Sequence, residues 1–102
     1  MVYNLVVKEE AEADALEAYL YYEDKQVGLG KRFIESLSNK YKKLATNPHL
    51  YSILKAGKKH IYCDVKVEHF PYVIIYEIIG SDVLIYAIFN TYKKPLKRFK
   101  SK

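Results

Sequence analysis

The chain has 102 residues, half of them apolar or aromatic, so it is long enough for one domain with one hydrophobic core and too short for two. Its single cysteine, Cys63, excludes an internal disulfide, and no His and Cys residues have the spacing of zinc ligands, so we expect no metal and no cofactor. The N-terminal apolar run is too short for a signal peptide and no run could span a membrane, which predicts a cytoplasmic protein without membrane contact.

The net charge of +5 is concentrated at the C-terminus. Residues 93–102 contain six basic residues and no acid, whereas the other 92 residues carry eleven bases and twelve acids. We therefore interpret residues 1–95 as a single domain and residues 96–102 as a basic tail. Such a strip can attract a phosphate backbone or an acidic protein segment, or it can be a solvated end. Its candidate binding residues are Lys93, Lys94, Lys97, Arg98 and Lys100.

The first half of the chain predicts a short strand followed by two helices. Residues 2–7 are rich in β-branched and aromatic types, as strands are. Apolar residues then recur at helical spacing in two stripes, separated by a break at Gly28 and Gly30 and ended by Asn47-Pro48. Two helices joined by a short turn lie antiparallel, and each has an apolar face to bury. The first stripe is Ala11, Ala15, Ala18 and Tyr22, and the second is Leu29, Phe33, Leu37, Tyr41 and Leu44.

The second half predicts an antiparallel sheet. Residues 61–68 alternate apolar and polar, which indicates a strand with one wet face. After an interruption at Phe70-Pro71, residues 72–79 are almost continuously apolar and predict a second strand. Residues 83–89 predict its partner strand after a tight turn. The expected fold is α+β: an N-terminal strand, a two-helix hairpin and an antiparallel three-stranded meander, with the helices packed on one face of the sheet. Lys55, Lys58, Lys59 and His60 surround Gly57 in a predicted basic loop.

Several short motifs follow one another in a definite order over nearly the whole chain. They are Ala11-Glu12-Ala13-Asp14, Tyr21-Tyr22-Glu23, Gly28-Leu29-Gly30 with Arg32-Phe33, Asn47-Pro48, Phe70-Pro71-Tyr72 with Ile75-Tyr76, and the segment 87–95. This order and spacing resemble the RelE/ParE toxin superfamily. The glycine-flanked hairpin and the Phe-Pro-Tyr strand are more similar to the ParE branch than to the RelE branch.

The resemblance implies the toxin component of a type II toxin–antitoxin system, also called a plasmid stabilisation system, neutralised by a cognate antitoxin. ParE-like members bind and poison DNA gyrase, whereas RelE-like members are endoribonucleases that cleave mRNA on the ribosome. An antitoxin of this class typically folds as it wraps the toxin, and DNA would be contacted only through the antitoxin complex. A third hypothesis is a degenerate member that keeps the fold and the partner without toxicity.

The residues available for nuclease chemistry favour gyrase binding over an enzyme. Cleavage of RNA through its 2′-hydroxyl needs a base, an acid and cationic groups around the phosphate. At the end of the last strand the family commonly has a histidine, where this chain has Asn90, and the predicted sheet contains none of the arginines that the nuclease branch uses. If the chain is a nuclease, its best catalytic set is Tyr92, Lys93 and Lys66.

Other reactive side chains have simpler structural interpretations. His49 and His60 are expected at the surface, and Cys63 is expected to be a small buried apolar residue. The strand tyrosines Tyr62, Tyr72, Tyr76 and Tyr86 could form a platform for base stacking. Tyr72 and Tyr76 belong to the core-strand motif, however, which favours packing over stacking.

Overall fold

A five-stranded sheet with two helices on one face makes up the part of the chain that the computed structural model describes, residues 2–50, 52–56 and 60–92. The elements are β1 (Asn4–Val7), α1 (Glu9–Lys25), α2 (Leu29–Thr46), a 3₁₀ turn (Pro48–Leu50), β2 (Ser52–Ala56), β3 (Ile61–Lys66), β4 (Tyr72–Ile79) and β5 (Asp82–Asn90). The predicted α+β fold, with its helical hairpin and three-stranded meander, is confirmed. The predicted boundary at residue 95 and the tail 96–102 lie outside the described residues.

The strand order is β1-β5-β4-β3-β2, and two features of it differ from the predicted sheet. Strands β3 to β5 pair antiparallel, as expected, and β2 pairs antiparallel with β3, but β1 runs parallel to β5, with Leu5 opposite Val83. The chain also forms β2 immediately before the predicted basic loop, and Lys55 belongs to this strand. A five-residue edge strand carries too short a pattern to be distinguished from a loop by periodicity.

Glu23 closes the turn between the two helices. Its carboxylate accepts hydrogen bonds from the backbone N–H of Gly28, at 2.9 Å, and of Gly30, at 3.0 Å. These N–H groups lie at the start of α2, where helical partners are lacking and a negative charge is favoured, so α1 supplies the cap of α2. Gly28 has a φ of 90°, the left-handed region that favours glycine. The helix break falls at Gln26 to Gly28, and Gly30 lies inside α2.

The main core lies between the hairpin and one face of the sheet. The first helix contributes its whole predicted stripe, the second contributes Phe33, Leu37, Tyr41 and Leu44, and the central strands contribute every second residue. A group of aromatic rings connects the hairpin to the β3–β4 turn, because the rings of Tyr22 and Phe33 both contact Phe70 and Tyr72. The largest fully buried side chains include Tyr76, Phe33, Leu44, Ile74 and Ile85.

The opposite face of the sheet, which we call the open face, is covered by neither α1 nor α2. It carries a separate apolar cluster, Val73, Ile75 and Ala87, with Phe89 packed against it. Tyr62 also points to this side and is only 4 % exposed, so the predicted wet face of β3 is wrong at this position. The reason is tertiary, since Tyr62 lies against Tyr86 of β5.

None of the helices in the described part of the chain is apolar over a length sufficient to cross a lipid bilayer.

The hairpin contact at Gly30 yields a test of the fold. A Cβ atom at this position would lie 2.6 Å from the backbone oxygen of Tyr19 and 2.9 Å from Glu23 Oε1. We expect Gly30→Ala to lower the free energy of unfolding by about 1–3 kcal/mol, because the helices must separate and the cap is disturbed. Urea denaturation measures the change. The exposed α2 position Ser38 provides the control, and equal stabilities of Gly30→Ala and Ser38→Ala would contradict the close contact.

Candidate functional site

A groove around the β3–β4 turn, at the end of the sheet, brings together two of the three predicted catalytic residues. Lys66, at the end of β3, and Tyr92, just beyond β5, line it together with Lys40, Asp64 and the β3–β4 turn at residues 67–71. Lys66 is exposed and Tyr92 is 87 % exposed, so both side chains are accessible to a ligand. The third residue, Lys93, lies outside the described residues, as do Lys94, Lys97, Arg98 and Lys100.

Backbone hydrogen bonds fix the walls of this groove. The N–H of Val67 donates to the carbonyl of Tyr72 at 2.9 Å, which closes the β3–β4 turn. The N–H of Thr91 donates to the carbonyl of Pro71 at 2.8 Å, which ties the end of β5 to the same turn. His69, within the turn, has a φ of 73°, an uncommon conformation in which histidine is enriched among non-glycine residues. The groove is therefore a rigid feature of the two chain segments.

Asn90 has a structural role beside the groove. Its side-chain amide donates to the hydroxyl of Tyr72 at 3.3 Å, and its Oδ1 accepts from the backbone N–H of Tyr92 at 2.9 Å. An amide does not exchange protons near neutral pH, so Asn90 cannot serve as a general acid or base. Asn90 instead holds in place the backbone that leads from β5 to Tyr92.

A second polar site lies at the other end of the open face, where Glu77 is only 3 % exposed. The Nδ1 atom of His60 lies 2.7 Å from Glu77 Oε2, and the hydroxyl of Tyr86 donates to Glu77 Oε1 at 2.6 Å. The ring of Tyr62 stacks on His60 with centroids 5.6 Å apart. We call His60, Tyr62, Glu77 and Tyr86 the open-face cluster. Two short hydrogen bonds offset the cost of burying a carboxylate in the middle of the sheet.

The open-face cluster was missed by the sequence interpretation, which placed His60 in a surface loop. One signal was present, because Glu77 is the only charged residue in the run 72–79. The sequence does not show which residues hydrogen-bond to Glu77, since His60 precedes β3, Tyr86 lies in β5 and the two are 26 residues apart. The imidazole of His60 has a side-chain exposure of 44 %, so its second nitrogen can face a ligand while Nδ1 bonds to Glu77.

Burial raises the pKa of side chains in this region, including those of Tyr86 and Cys63. Burial and the neighbouring Glu77 raise the pKa of Tyr86, so its hydroxyl stays protonated and remains a donor. Burial likewise raises the pKa of the Cys63 thiol, which packs toward the helices and is inert as a nucleophile. Among the described residues, no three His, Cys, Asp or Glu side chains are grouped as a metal site requires.

The hydrogen bond between Tyr86 and Glu77 yields a test of the open-face cluster. We expect Tyr86→Phe to lower the free energy of unfolding by about 1–2 kcal/mol, because a buried carboxylate loses a hydroxyl donor. Tyr92→Phe removes the same atom at an exposed position and should leave stability unchanged. Thermal denaturation of both variants measures the difference. Equal stabilities would show that Glu77 gains nothing from the Tyr86 hydroxyl.

Comparison with known proteins agrees with this architecture. A structure described as a chromosomal ParDE TA system from P. aeruginosa superposes with a TM-score of 0.74 at 14 % identity, covering 87 % of this chain and 96 % of the other. At this identity the likeness establishes the fold. A search of curated protein sequences finds no match. The model of the family described as ParE toxin of type II toxin–antitoxin system, parDE, matches residues 5–94. The chain therefore belongs to the ParE toxin family of type II toxin–antitoxin systems.

Proposed function

We propose that the chain poisons DNA gyrase by binding it, as the toxin of a cytoplasmic type II toxin–antitoxin pair that stabilises plasmids. Membership of the ParE family supports this assignment. The structural observation that favours binding over catalysis is the role of Asn90. The hydrogen bonds to Tyr72 and from Tyr92 hold the chain at the strand end where the family commonly has a histidine.

The binding surface in this proposal is the groove together with the basic strip of residues 93–100. The strip follows Tyr92 directly in the sequence, and Tyr92 lines the groove. Lys93, Lys94, Lys97, Arg98 and Lys100 would engage an acidic surface of gyrase or of the antitoxin, and opposite charge would speed the encounter.

The proposed antitoxin is encoded beside the toxin and folds as it wraps it. The toxin itself would then contact DNA only as part of the complex with the antitoxin. In this arrangement the antitoxin keeps gyrase away by occupying the groove or the basic strip.

The first prediction of this proposal concerns growth and gyrase activity. We expect the chain, expressed in bacteria without its antitoxin, to arrest growth, and the purified chain to stabilise gyrase-dependent cleavage of DNA. Lys93→Gln combined with Lys94→Gln should weaken this effect about tenfold, because charge complementarity to the target is reduced. Lys8→Gln combined with Lys25→Gln removes the same charge from exposed positions outside the surface and should have no effect.

Two results would contradict the gyrase proposal. Normal growth with accumulated protein would favour the non-toxic member of the family. Growth arrest without gyrase-dependent DNA cleavage would favour another target.

A second candidate function, ribosome-dependent cleavage of mRNA, is favoured by the open-face cluster. A carboxylate that bonds Nδ1 of a histidine fixes the ring and its tautomer, which leaves Nε2 as a general base. His60 and Glu77 have this arrangement, at 2.7 Å. Lys66 and Tyr92 line the groove about 13 Å along β4 from Glu77, so in this function they would hold the RNA strand and would not act on the phosphate next to His60.

A cleavage assay on programmed ribosomes distinguishes the two functions. If the chain is a nuclease, His60→Ala should reduce the rate of mRNA cleavage by about 10²-fold or more, and Tyr92→Phe should also reduce it. His49→Ala changes an exposed histidine on the other side of the molecule and is the matched control. If wild-type chain leaves mRNA intact on the ribosome, this second candidate is excluded.

A further inference from the structure

An apolar strip lies exposed on the outer side of the helical hairpin. Leu16 and Leu20, one turn apart on α1, are 58 % and 56 % exposed, and Ile34 of α2 is 38 % exposed. Leu16 and Leu20 each lie two residues from Ala18, which is buried in the core. At about 100° per residue, they point roughly 160° away from the side of α1 that faces the sheet.

These three side chains follow the seam between the helices. The seam is marked by Gly30, which approaches Tyr19 and Glu23 of α1. Leu16 and Leu20 lie three residues before Tyr19 and Glu23, and Ile34 lies four residues after Gly30, so each is one turn along from a seam residue. An apolar seam of this kind can receive side chains from another helical surface.

The two helices carry opposite charge on either side of this seam. α1 has seven acidic side chains and one lysine, whereas α2 has five basic side chains and one glutamate. Some of these charged residues lie two positions from a core residue and therefore on the outer side of the hairpin. They are Glu17 and Asp24 on α1 and Lys31, Lys42 and Glu35 on α2, and all are exposed. Packing α1 on a second α1 would therefore be repulsive, and packing α1 on a second α2 would be attractive.

We propose that the outer side of the hairpin is a dimer interface, on which a second copy of the chain packs hairpin to hairpin. A two-fold axis parallel to the helices places α1 of each copy on α2 of the other, antiparallel, as in a four-helix bundle. The interface then has Leu16, Leu20 and Ile34 at its centre and opposite charges on both flanks. This arrangement leaves the groove and the open face free, so it is compatible with either function proposed above.

Sedimentation equilibrium of the full chain, produced by cell-free synthesis, tests the apolar centre. We expect the wild-type chain to dimerise, and Leu16→Ser combined with Leu20→Ser to raise the dimer dissociation constant about a hundredfold. Ile79→Ser alters an isoleucine of similar exposure, 51 %, at the far end of β4 and should leave the constant unchanged. A wild-type chain that stays monomeric at every concentration would overturn the proposal and leave the strip to a different partner.

Charge reversal tests the pairing of helices. Glu17→Lys with Asp24→Lys places lysines on the outer sides of both helices, and Lys31→Glu with Lys42→Glu places carboxylates on both, so each variant alone should be monomeric. Mixing the two should restore dimers as heterodimers, because each basic outer side then faces an acidic one. These are exposed positions, and circular dichroism verifies the fold of each variant. Dimers in either variant alone, or monomers in the mixture, would refute the packing of α1 on α2.

Discussion

The close contact between the two helices at Gly30 is the constraint on which the rest of the structure depends. Because there is no space for a side chain between Gly30 and Tyr19, α1 and α2 pack as one layer, and the carboxylate of Glu23 caps the second helix from the first. Both apolar stripes are then buried on the same face of the sheet. The hairpin covers this face of the sheet, and the open-face cluster lies on the other.

The open face combines features that a purely structural sheet would not need. Its centre is apolar, with Ile75 fully buried, but one end holds the buried carboxylate of Glu77 and the other end opens into the groove beside Val73. Glu77 lies four positions after Val73 in β4, about 13 Å along the strand. An extended ligand could contact both ends at once. Strand β4 thus contributes to the core with one side and to both candidate sites with the other.

Family membership and local chemistry contribute different parts of the functional argument. The family model covers most of the chain and fixes the class of protein, a toxin of a toxin–antitoxin system. The target must be inferred from individual side chains, and Asn90 and His60 support different functions. Asn90 has a structural role at the groove, which favours binding, while His60 is oriented by Glu77 on the same face, which favours catalysis. The two sites can be perturbed independently because they lie at opposite ends of β4.

The sequence alone determined the class of fold, both helices and the meander, because these depend on periodicity and on breaks such as Gly28 and Phe70-Pro71. It also identified Lys66 and Tyr92 as candidate catalytic residues, and the structure places both in one groove. Only the tertiary structure decided that β1 pairs parallel to β5, that Tyr62 is buried, and that His60, Glu77 and Tyr86 meet. These are contacts between residues far apart in the chain, and local spacing carries no information about which distant partner satisfies a buried charge.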